Sequence, residues 1–182
     1  MKRVRKETGR KQRQRQSTRI LLIMCMALTA MSVLASDQPA VRIEPTNSVG
    51  PRPLEKQTET AVIRDYLESW SSLSSALEQN RADLLDADFV GTAKEKLAAT
   101  VQEQTKLGIQ TRYRDTSHDL QLVFYSPEGL SIQLLDTVEY DLQVLDHDKL
   151  QTTQHIRARY VAVLTPTEVR WKVRFFQAKP AE

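Results

Sequence analysis

The sequence predicts an α+β domain with its helices first, and three observations carry that prediction. Apolar residues recur at three- and four-residue spacing from Ile63 to Leu77, the period changes to two after Gly108, and turn signals at residues 126–129, 146–149 and 165–168 divide the remainder into four strands. N-terminal helices packed on one face of a curved, mainly four-stranded antiparallel sheet satisfy all three.

The first 35 residues read as an export signal or signal anchor. They hold nine of the 26 Lys and Arg residues but one of the 23 Asp and Glu residues, and residues 20–35 are an unbroken run of apolar and small side chains. Val33 and Ala35 stand at the −3 and −1 positions of a small-residue cleavage site before Ser36. The run is shorter than the roughly 20 residues of a spanning helix, which favours cleavage. The long basic region before it keeps an uncleaved anchor as the alternative. Either way the segment targets a membrane, and the positive charge stays in the cytoplasm while the domain crosses. The domain is then periplasmic or secreted, or held outside by a single-pass anchor.

Removing that segment reverses the charge. The chain is +3 overall, but 17 basic and 22 acidic residues remain after Ala35, a net of −5 without a basic patch. Nucleic acid is therefore not an expected partner. The five glycines form neither GxxxxGK[ST] nor GxGxxG, and no cofactor is implied. Cys25, the lone cysteine, sits inside the apolar run, so the domain holds no disulfide, thiol nucleophile or cysteine-based zinc site.

Residues 36–57 carry four of the seven prolines and few large apolar side chains, the composition of a disordered linker. The folded domain is expected over 58–178, with a tail at 179–182. Its first helix presents Ile63, Tyr66, Leu67, Trp70, Leu73 and Leu77 on one face, with Thr58 or Thr60 as N-cap and Asn80 at its end. A short turn follows, with Leu84, Leu85 and Phe89 inward. Thr92 and Glu95 have capping-box spacing for another helix, buried through Leu97, Ala98 and Val101 and closed by Gly108.

In the strands, hairpin geometry predicts that Phe124 faces Ile132, Leu122 faces Leu134, Leu134 faces Val161, Ile132 faces Val163, and Trp171 faces Val163. The same register sets Asp136 opposite Arg159, Val138 opposite Arg157 and His118, and Tyr140 opposite His155. A polar cluster then interrupts the apolar face at one end of the sheet.

A long helix bearing Trp70, then a curved sheet ending in Tyr160 and Trp171-Lys172-Val173, resembles the nuclear transport factor 2-like superfamily over about residues 58–178. The C-terminal half is also similar to the terminal domain of plastid and cyanobacterial division proteins. The resemblance implies a cone-shaped fold enclosing a pocket, and relatives that range from ketosteroid isomerases and SnoaL-like cyclases to partner-binding modules without catalysis. It does not choose among them.

For an enzyme of the SnoaL-like or isomerase type, Asp136 is the candidate general base or acid, since a carboxylate on an apolar face is costly to ionise. Tyr140 and His118 are the candidate oxyanion donors and His155 the candidate proton shuttle. Arg159 opposes this, because a salt-bridged Asp136 is a weak base. The reading preferred from sequence is an exported, noncatalytic domain that binds a small apolar ligand or a partner protein through Asp136, Arg159, Tyr140, His118, Trp70 and Trp171. A self-associating domain, with Leu135, Tyr160 and Leu164 on an outer sheet face, is the third reading, and a homodimer fits it. Asp146, His147 and Asp148 read as a turn and not a metal site. The serines at 69, 71, 72, 74 and 75 read as helix surface, and Arg112, Arg114, Arg157 and Arg159 as a solvated sheet edge.

Overall fold

A computed structural model of the chain describes residues 38–45 and 53–179. The expected export signal or anchor at 1–35 lies outside the described residues. Strand β1 (Ala40–Ile43) is followed by helix α1 (Lys56–Gln79), a 3₁₀ segment (Ala82–Ala87), helix α2 (Gly91–Leu107), and strands β2 (Ile109–Tyr125), β3 (Ile132–Asp146), β4 (Lys149–Pro166) and β5 (Trp171–Lys179). The helices cover one face of a curved, open sheet ordered β1-β2-β3-β4-β5.

Among the described residues the strands number five, not mainly four as expected. The additional one, β1, lies in the proline-bearing stretch expected to be a linker and runs parallel to β2, pairing Val41 with His118. Proline and exposed side chains are compatible with a sheet edge, so composition alone does not distinguish such a strand from a linker.

Helix α1 buries Ile63, Tyr66, Trp70, Leu73 and Leu77 as its spacing requires, and Asn80 ends it in the left-handed region at φ 54°. Neither threonine caps its start: the N-cap is Glu55, and the Thr60 hydroxyl donates to the Lys56 carbonyl at 2.9 Å. Gly108 closes α2 at φ 71°. The expected capping box is absent, because the chain enters α2 directly from a bridge between Phe89 and Val173 and turns the Thr92 hydroxyl to the Arg174 carbonyl, 3.1 Å away.

Bulges set the register. His147 and Asp148, at φ 48° and 62°, make a tight two-residue turn that pairs Asp146 with Lys149. Leu145 then pairs with Leu150 but Val144 with Thr152, so Gln151 is an extra residue. Everything beyond is displaced by one. Leu134 faces Ala162, Ile132 faces Leu164, and Asp136 faces Tyr160, not Arg159. Arg159, Arg157 and His155 pair with Thr137, Glu139 and Asp141 on the outer face, while Tyr160 and Leu164 turn inward. A second shift pairs Phe124 with Gln133 and brings Tyr125 opposite Ile132, and Trp171 faces Pro166. The expected pairs of Leu122 with Leu134 and His118 with Val138 are present.

Candidate functional site

The interior of the cone is organised by Trp70. Its ring centroid lies 5.4 Å from those of His118 and Phe176, 5.2 Å from Tyr160, 6.2 Å from Tyr140 and 6.3 Å from Tyr113. Tyr160 stacks on Phe176 at 4.9 Å, and Tyr140 meets Tyr113 edge-on at 5.0 Å. Aromatic side chains thus fill the volume between α1 and the sheet.

One polar network crosses this core. Tyr66, one turn before Trp70 on the same helix face, donates its hydroxyl to Asp136 Oδ2 at 2.9 Å, and His118 Nδ1 meets the same oxygen at 2.8 Å. Asp136 and His118 have side-chain exposures of 0%. Asp115 lies beyond the imidazole, its Oδ2 3.9 Å from His118 Nε2. Residues three apart on a strand ordinarily face opposite ways. Here Asp115 pairs with Tyr140 and Ser117 with Glu139, so Thr116 is extra and Asp115 shares the inner face with His118.

Burial pulls the His118 pKa down, but the Asp115 and Asp136 carboxylates on either side outweigh it and raise it to about 9. The imidazole is therefore a cation at neutral pH. Burial, followed by the Asp136 charge, raises the Tyr66 phenol well above its ordinary value, so it remains a donor.

His118 and Asp115 line a cleft of about 330 Å³ whose other walls include Val41 from β1 and Arg64, Leu67 and Glu68 from α1. Of the remaining sequence candidates, Tyr140 lies in the aromatic cluster around Trp70 and the others are elsewhere. The Tyr140 hydroxyl is 3.1 Å from that of Tyr160, His155 is exposed and bonded to Asp141 at 2.9 Å, and Arg159 is exposed. Trp171 is half-buried, and its backbone N–H donates to Asp65 Oδ2 at 2.8 Å. The structure brings Asp136, His118 and Trp70 together and leaves His155 and Arg159 out. Among the described residues no cluster of His, Cys, Asp or Glu is arranged to hold a metal, and no helix is long and apolar enough to cross a membrane.

Sequence reasoning missed Asp115, the role of Tyr66, and two buried carboxylates, Asp65 and Asp88. Asp65 accepts from Arg64 at 2.7 Å as well as from Trp171. Asp88 accepts from Arg170 at 2.5 Å and from the Ser72 hydroxyl, one of the serines read as surface. Asp65 adjoins Tyr66 within the buried arc of α1, a position that the helical period itself marks. Asp115 depends on a bulge and has no such mark.

No known family model matches the chain, and no curated protein is significantly similar to it. Solved structures are similar in shape. The intermembrane-space region of the chloroplast protein ARC6 aligns with a TM-score of 0.57 and 13% identity, covering 71% of this chain and 100% of that one. A scytalone dehydratase-type protein from Novosphingobium aromaticivorans aligns at 0.50 and 11%, over 70% of this chain and 89% of its own. An NTF-2-like protein of Shewanella oneidensis aligns at 0.38 and 11%, over 64% and 97%. At such identities the likeness concerns the fold alone, helices packed on one face of a curved sheet, as expected from the sequence.

Proposed function

We propose that this chain is an exported or membrane-tethered domain that binds a partner protein or small ligand without transforming it. The observation that carries the reading is the filling of the cone by Trp70 and the aromatic rings around it. The state of His118 supports it: an imidazole kept protonated by two carboxylates has no free lone pair for a base at neutral pH. Binding is then directed to the cleft beside the cone and not to its interior. Export rests on residues 1–35, with their basic start and apolar run.

Site-specific photo-crosslinking of the full chain in its native host tests this reading. A cross-linker at Ser71, on the lip of the cleft, is expected to yield a defined adduct that one at Lys149, in the β3–β4 turn, does not. No adduct from any cleft position, with turnover of a carbonyl substrate by the purified chain, would overturn it.

A second reading is favoured by one observation: His118 both bonds to Asp136 and lines an open cleft. In that reading the imidazole exchanges protons with substrate and Asp136 orients it. Loss of turnover in Asp136→Asn, with the fold retained, is its signature.

A further inference from the structure

Four buried side-chain atoms have no hydrogen-bond partner among the described residues: Trp70 Nε1, Asp115 Oδ1, His118 Nε2 and Asp136 Oδ1. They belong to one cluster, since His118 bonds to Asp136, lies 3.9 Å from Asp115 and packs on Trp70. Buried polar groups are ordinarily satisfied, so such a concentration calls for a partner from outside the chain, whether water or a ligand. Asp115 and His118 also line the cleft, and the His118 side chain is fully buried there.

Those two residues define what fits. With its Nδ1–H held by Asp136 Oδ2, the imidazolium offers Nε2–H as a donor beside the Asp115 carboxylate, an acceptor. The ligand group must therefore accept and donate on one edge. A residue in an extended chain does this, because its own C=O and N–H point to the same side, as in a hydrogen-bonded antiparallel pair. The surroundings suit such a chain: edge strand β1 forms one wall and α1 the other, with Val41 and Leu67 available to alternate apolar side chains.

Resting on the binding reading above, we propose that the cleft holds an extended peptide segment of a partner protein, one residue of which accepts from His118 Nε2–H and donates to Asp115 Oδ1. Both atoms are screened from solvent behind the β1 wall, so a local opening of that wall, not its departure, exposes them to the segment. That strand is four residues long and exposed throughout. Exposed, short pairing of this kind opens at low cost.

The test uses the full chain and a display library of random heptapeptides, the strongest binder being resynthesised with capped ends. Binding is expected to fall at least tenfold when one backbone nitrogen of the peptide is methylated, and at least tenfold in Asp115→Ala. Ser71→Trp, which fills the cleft from the exposed helix lip without touching the buried cluster, is expected to abolish it at unchanged melting temperature. Hydrogen exchange at β1 amides should change on binding. A peptide that binds Ser71→Trp as well as wild type overturns this site while leaving the binding function in place. Free N-methylacetamide competing at the peptide's own affinity shows a small-amide ligand and overturns the peptide assignment. Failure to select any peptide overturns the inference; joined to absence of a cross-linked adduct from the cleft, it overturns the binding reading as well.

Discussion

His118 and Asp136 are diagonal neighbours across β2 and β3, joined by a 2.8 Å contact between Nδ1 and Oδ2 with both side chains fully buried. Tyr66 from α1 closes on the same oxygen at 2.9 Å. Helix and sheet are thereby joined through one carboxylate at the centre of the core.

The first consequence is a pH dependence. Asp136, Asp115 and, through Asp136, Tyr66 face the imidazole, and the folded-state pKa of His118 is raised from an ordinary 6.5 to about 9. A group whose pKa is raised on folding stabilises fully below its unfolded value and loses that contribution as pH rises through the folded one. His118 should therefore support the fold below about pH 6.5 and cease to do so by pH 9. At 1.36 kcal/mol per pKa unit the loss is at most about 3 kcal/mol. Urea denaturation across this window checks it, with His118→Gln expected to flatten the slope.

Tyr66→Phe removes the donor to Asp136 while conserving volume. A hydrogen bond to a charged group contributes about 1.5–3 kcal/mol, and a destabilisation in that range is expected from denaturant melts. The circular dichroism spectrum should be unchanged.

The helices and the inward face of β3 were legible because periodicity reports them directly: Ile63 to Leu77, and Ile132, Leu134, Val138 and Tyr140, are buried as their spacing demands. The partners of Asp136 were not legible. The turn at His147 and Asp148 lies where the sequence signals it, yet Gln151 adds a residue that no local signal announces, and this one insertion exchanges Arg159 for Tyr160 opposite Asp136. Thr116 likewise turns Asp115 inward. Bulges change facing without changing composition, so a candidate site built on cross-strand register inherits every unseen insertion.

Trp70→Ala should be the most damaging single truncation, because five rings rest on the indole. Large aromatic truncations in a core cost about 3–5 kcal/mol. The cavity left is walled largely by aromatic rings and matches a small aromatic molecule in shape. Indole at millimolar concentration is accordingly expected to raise the melting temperature of the variant and leave wild type unaffected, as scanning fluorimetry would show.

Asp88→Ala should loosen the β4–β5 turn. It leaves Arg170 without its 2.5 Å partner and the Ser72 hydroxyl without an acceptor, although Arg170 keeps Glu68 at 3.2 Å. Arg170 is partly solvated, so the cost is placed at about 2 kcal/mol, below that of breaking a fully buried pair. Faster amide exchange in β5, with β2 and β3 unaffected, would separate this local effect from global loss of stability.

The binding reading requires His118 to be a fixed cation between two carboxylates and not a base awaiting substrate. Nitrogen-15 spectroscopy of the imidazole in the full chain tests it most directly. Protons on both ring nitrogens at pH 7 and a titration near pH 9 are the expected result. A neutral ring at pH 7, titrating below 7 with an unprotonated Nε2 toward the cleft, would contradict it and favour the acid–base reading.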